Sequence, residues 1–210
     1  MALDLKVLTP VISHAQNTGV ERRIIFEDEK DCKRFLETLK HYQASTPSSR
    51  FAFRKRARGE RETDDSPLVE IIAYCLMPNH FHLLLKETKP EGVSKFLSKV
   101  SNSYTKYFNA RHKRSGALFK GRFKSAKIED EKVPDITRFI HLDPLAKKIV
   151  RDINKFPFSS YYEFAAEEKG ICEKASLLSY FQGVQNFISF TNNLTAYEQS
   201  LPEIKKLTLD

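Results

Sequence analysis

The chain has 210 residues, enough for one medium domain or for one domain with a small appendage. With 40% hydrophobic and 30% charged residues it fits a folded rather than a disordered protein, and no apolar run approaches the roughly 18–20 residues that cross a bilayer. Three widely spaced cysteines (Cys32, Cys75, Cys172) exclude a disulfide framework and a Cys-ligated zinc site, and the start "MALDLKVLTP" lacks a signal-peptide pattern, so the expected compartment is a reducing cytoplasm.

In chain order, residues 5–15 lean toward strand and end at Gly19, with "NTGVERR" as a turn. "EDEKDCKRFLETLKHYQAS" spaces Phe35, Leu36 and Leu39 as a helix, acidic at its start and basic later, as the helix dipole favours. Residues 45–66 form a long polar connection, in which 50–54 can pair as strand. "LVEIIAYCLM" and "HFHLLLKE", divided by Pro78 and Asn79, read as a hairpin of two central strands. "EGVSKFLSKVSNSYTKYFNARH" is helical, "RFKSAKIE" is a further strand, and another helix starts near Asp130. Pro134 suits its first turn, whereas Pro144 predicts a kink or a break.

The resulting order, β-α-β-β-α-β and one more helix, predicts an α+β fold: a ferredoxin-like (RRM-like) split βαβ antiparallel sheet with helices on one face. It covers residues 1–150, and residues 151–210 form a helical C-terminal extension.

Charge adds a functional hint. The net charge is +8, and the excess is concentrated in "RFAFRKRARGER" and in "RHKRSGALFKGRFKSAK", where Phe119 and Phe123 interleave with cations. Basic clusters with aromatics between them suit a nucleic-acid backbone with bases stacking on the rings, although a charge run alone is commonly just a solvated surface. The candidate DNA contacts are Arg111, Lys113, Arg114, Lys120, Arg122 and Lys124.

The second hint is "YCLMPNHFHLLLKE". Strand side chains alternate, so His80 and His82 share a face and Phe81 takes the other. Two imidazoles about 7 Å apart along a strand can converge on one cation. A bare His-x-His is also compatible with two hydrogen-bonded structural histidines.

In its wider setting "YCLMPNHFHLLL" resembles the signature of HUH endonucleases. It is similar in particular to single-tyrosine transposases of insertion sequences and their REP-associated relatives. The resemblance extends over "NTGVERRIIFEDEKD", "YTKYFNARHKRSGALFKGRFKS", "RFIHLDPL" and "FPFSSYYEF". It implies binding and processing of single-stranded DNA hairpins, with a tyrosine attacking the scissile phosphate to leave a 5′-phosphotyrosine. It further implies a divalent metal, Mg or Mn, held by His80, His82 and Asp143, and it leaves monomer and homodimer both open.

At the nucleophile position the resemblance fails. The "Tyr-Ile-His-Leu-Asn-Pro"-like stretch of the family here reads "FIHLDP", so that position is Phe139, four residues before Asp143. A benzene ring cannot attack phosphorus, so cleavage is not expected of the chain as written. Tyr104, Tyr107, Tyr161 and Tyr162 are weaker candidates for a substitute nucleophile, and His141 reads as structural or surface. Ser13 and Thr18 also depart from residues that relatives often carry. Two further readings stand beside the transposase: a hairpin-binding protein that has lost the chemistry, and a plain RRM-like RNA binder, which leaves the paired histidines unexplained.

Overall fold

The computed structural model describes residues 11–43, 66–166 and 169–208. The proposed strand at 50–54 and the basic cluster at 50–61 lie outside them. Four strands, β1 (Ile12–Thr18), β2 (Val69–Met77), β3 (His80–Glu87) and β4 (Lys124–Ile128), form one antiparallel sheet in the order β2-β3-β1-β4. That order is the split βαβ arrangement expected from the sequence: β1 and β2 are joined through a helix and separated by β3.

Helix α1 (Glu29–Tyr42) starts where Asp28 accepts from the backbone N–H groups of Lys30 and Asp31, and it carries Lys40 and His41 in its last turn. With α2 (Gly92–Arg111) it covers the sheet face built from Ala15, Ile71, Phe81, Leu83 and Leu85. Phe35, Leu39, Phe96, Leu97 and Val100 fill that interface. Each fully buried Phe or Leu contributes about 1.5–3 kcal/mol there by leaving water.

The second face is covered as well, which differs from the one-sided packing predicted. Helix α3 (Val133–Ala146) lies across Ile12, Ile72, Cys75 and Leu84. The C-terminal helices α4 (Ser160–Ala165), α5 (Lys174–Leu178), α6 (Val184–Asn192) and α7 (Leu194–Leu207) join the same apolar cluster through Tyr161, Phe164, Leu177, Phe187 and Tyr197. The apolar positions of both faces were present in the strands, but which helices would cover the second face depended on contacts distant in sequence.

Two further expectations change. Strand β2 is an edge of the four-stranded ladder, not a central strand. It is nonetheless apolar apart from Glu70, because residues 158–160 and Glu173 seal its outer edge. Ser160 Oγ accepts from Tyr74 N at 2.9 Å, Phe158 O accepts from Leu76 N at 2.9 Å, and Ile71 O accepts from Glu173 N at 2.9 Å. An edge covered in this way is as protected as a central strand. Pro144 does not break α3, which runs on to Ala146. So near the C-terminus the missing proline N–H removes a single ladder bond, and Asp143 keeps its helical register with Phe139.

Among the described residues, no helix is long and apolar enough to cross a membrane. The three cysteines are free.

Candidate metal centre and nucleic-acid cleft

The β2–β3 hairpin turns through Pro78 and Asn79, with Met77 opposite His80. Its tip is held by the loop after β1: Pro78 O accepts from Ile25 N and Phe26 N at 2.8 and 3.1 Å, and Asn79 O accepts from Gly19 N at 2.9 Å. Gly19 is required at this approach, because a Cβ there would sit 2.3 Å from Arg23 O. The anchored hairpin fixes where β3 presents its histidines.

His80 and His82 share one face, as alternation predicts, and their ring centroids are 4.9 Å apart in a T-shaped arrangement. Both face α3. Asp143 Oδ2 lies 3.0 Å from His80 Nε2 and 3.7 Å from His82 Nε2. The three side chains offer ligand atoms that all lie within 4.8 Å of one another. His80 Nδ1 contacts Asn79 Oδ1 at 2.7 Å, while His82 Nδ1 contacts His14 Nε2 at 3.0 Å.

His82 and Asp143 are buried, and His80 lies at the mouth. Burial pushes the His82 imidazole well below its ordinary range, with the nearby His14, His80 and Lys147 acting in the same direction. Burial also lowers His14 to about 4. Neutral imidazole is the form that ligates a cation. His82 Nε2 is buried and has no hydrogen-bond partner, an expensive state for a polar atom unless something occupies the space before it. Two imidazole nitrogens, one of them the buried and unpartnered His82 Nε2, and a carboxylate oxygen fit a divalent cation.

Phe139 lies one helical turn before Asp143, buried, its ring 5.7 Å from that of His82 and 6.3 Å from that of His14, edge-on to both. None of the eight tyrosines lines the cleft that leads to His80. Tyr104 lies on the other side of the sheet, in the α1–α2 core, donating its hydroxyl to Ile25 O at 2.6 Å, and Tyr107 packs against that same core. Tyr161 accepts from Asn192 Nδ2 at 3.2 Å beneath α6. His141, fully buried, meets Ser160 Oγ at 2.7 Å and is structural, not a surface residue.

The cleft has a volume of about 680 Å³ and is lined by Gln16, Asn17, Thr18, Met77, Pro78 and His80, with the cations Arg22, Lys120, Lys124 and Lys147. Arg22 reaches it from two consecutive left-handed residues, Glu21 (φ 55°) and Arg22 (φ 58°). Such backbone costs a non-glycine residue about 1–2 kcal/mol, and strain of this kind collects at ligand clamps.

The six basic residues singled out in the sequence therefore separate. Lys120 and Lys124 line the cleft, and Arg122 borders a neighbouring hollow with Phe123, Asn17 and with Ser94, Ser98 and Ser101 of α2. Arg111 is engaged elsewhere, paired with Asp28 and with the fully buried Asp31, which His112 Nε2 also meets at 3.0 Å. Arg114 donates to Asn109 Oδ1 and, at 2.9 Å, to Ala117 O. Lys113 sits in the turn after α2 with φ 50°.

Sequence reasoning missed His14, Asn79, Arg22 and Lys147. His14 shares a face of β1 with Ile12 and Gln16, and only the β1–β3 register, which pairs His14 with Leu84 and Gln16 with His82, brings it beside His82.

A family model described as "Transposase IS200 like" matches residues 60–143. No curated protein matches the chain by sequence. Among solved structures, one described as a REP-associated tyrosine transposase bound to a REP hairpin is similar in fold, with 14% identity over 79% of this chain and 85% of that one and a TM-score of 0.50.

Proposed function

We propose, from the match of residues 60–143 to the IS200-like transposase model, that this protein binds hairpin-bearing single-stranded DNA at a divalent-metal cleft without forming a phosphotyrosine. The observation that carries this reading is Phe139: a ring without a hydroxyl stands beside His82, one turn before Asp143, at the position where the resemblance puts the nucleophile. None of the eight tyrosines lines the cleft that leads to His80.

His80, His82 and Asp143 would hold Mg²⁺ or Mn²⁺. Such an ion supplies positive charge that polarises a phosphate and stabilises charge developing on its oxygens. The protein's own residues do the rest of the binding. Arg22, Lys120, Lys124 and Lys147 neutralise backbone phosphates along the cleft, and Arg122 with Phe123 extends the contact, the ring offering a face on which a base stacks. The solved relative in fold is bound to a REP hairpin, which supports a hairpin as the ligand here.

The test is a binding competition, with a labelled DNA hairpin bearing a single-stranded foot displaced by an unlabelled hairpin, a duplex or an unstructured strand of equal length. The hairpin with its foot should compete best. Equal competition by the three would contradict hairpin recognition, and preference for an RNA strand would favour the RRM-like reading.

A further inference from the structure

The two histidines of the metal centre are held differently. His80 Nδ1 meets an amide oxygen, Asn79 Oδ1 at 2.7 Å, which only accepts, so the Nδ1 proton stays in place. His82 Nδ1 meets another imidazole, His14 Nε2 at 3.0 Å, and an imidazole nitrogen donates or accepts according to its tautomer. Both rings are fully buried and stacked, 5.2 Å between centroids at an interplanar angle of 17°.

If His14 donates, His82 must carry its proton on Nε2, and that nitrogen cannot ligate. If His14 accepts, His82 carries its proton on Nδ1, and the Nε2 lone pair faces Asp143. His14 Nδ1 is itself buried without a partner and bears the remaining proton in the second arrangement.

We propose that His14 is a positioning residue of the metal centre: its Nε2 accepts from His82 Nδ1–H and holds His82 in the tautomer whose Nε2 can bind the cation. This inference rests on the metal reading given above. The partner that a metal-ligating histidine bonds through its other nitrogen commonly changes metal affinity about 10- to 100-fold when removed. Here that partner comes from a neighbouring strand, in place of the usual carboxylate or carbonyl.

The test measures Mn²⁺ binding by calorimetry on the full chain, its His14→Leu variant, which keeps bulk, and its His14→Gln variant, whose Oε1 can still accept. Metal-free melting temperatures monitor folding. His14→Leu should weaken Mn²⁺ about 10- to 100-fold, and His14→Gln should stay within about threefold of the unaltered chain. Nitrogen-15 spectra of the unaltered chain loaded with Zn²⁺, a diamagnetic probe, should place the His82 proton on Nδ1, a reading that decides the matter alone if His14→Leu does not fold. Equal Mn²⁺ affinity in all three proteins, equal weakening by both substitutions, or a proton on His82 Nε2 overturns the role of His14. If the unaltered chain binds no Mn²⁺, the metal reading falls and this inference with it.

Discussion

Replacing Lys120 and Lys124 together by alanine should change how DNA binding responds to salt, by an amount that the cleft itself sets. Four cations line it, Arg22, Lys120, Lys124 and Lys147. Each phosphate neutralised contributes about −0.7 on a single strand, or about −0.9 on duplex, to the slope of log affinity against log salt. Four contacts give a slope of about −2.8 to −3.6, so a fourfold rise in salt, from about 50 to about 200 mM, weakens binding about 50- to 150-fold through the cleft alone. With two contacts left the slope is about −1.4 to −1.8, and the same rise costs only about 7- to 12-fold. Contributions from outside the cleft cancel in the comparison, so the difference of about 1.4–1.8 in slope is the quantity to read. Fluorescence anisotropy with a labelled hairpin across a salt series measures it. Lys205→Ala with Lys206→Ala, exposed residues on α7 away from the cleft, is the control and should leave the slope unchanged. An unchanged slope in the cleft variant, or the same flattening in the control, would refute the placement of DNA along this cleft.

Two further predictions concern side chains behind the site. Arg111→Ala should lower the melting temperature by several degrees, because it removes a partner of the buried Asp31, while leaving the salt slope unchanged; a flatter slope without loss of stability would make Arg111 a phosphate contact after all. Acid should destabilise the fold through its buried neutral histidines. An unfolded imidazole gains its proton near pH 6.5, whereas burial holds His14 to about 4 and His141 to about 3. Between these values the unfolded chain binds more protons, so stability is complete above about pH 6.5 and is lost as the pH falls. At pH 5 each of the two histidines costs about 2 kcal/mol relative to pH 8. His141→Leu should therefore shrink the loss in urea-unfolding free energy between pH 8 and pH 5 by about 2 kcal/mol. An equal loss in both proteins would contradict a neutral buried His141.

Much of this architecture was legible in the residues. The alternation in "HFHLLL" put His80 and His82 on one face, the Pro78–Asn79 break marked the hairpin, and the four-residue spacing joined Phe139 to Asp143. What was hidden depended on contacts between distant segments. His14 became visible only through the register of β1 with β3, and Lys147 only because α3 lies across the sheet face that carries the histidines. Charge pattern alone could not separate Lys120 from Arg111, since the acidic partners of Arg111 sit some eighty residues earlier, at the start of α1. Strand β2 resembled a central strand because residues 158–160 and Glu173 seal its edge, a covering that hydrophobicity registers but cannot locate.

The measurement closest to the central claim compares the chain with its Phe139→Tyr variant on hairpin-bearing single-stranded DNA in the presence of Mn²⁺ or Mg²⁺. The readout is a protein–DNA adduct that survives denaturing electrophoresis. The account predicts hairpin binding by both proteins and an adduct from the Phe139→Tyr variant alone, abolished by adding His80→Ala. An adduct from the unaltered chain would show that another residue attacks the phosphate, and would contradict a metal cleft that lacks only its nucleophile.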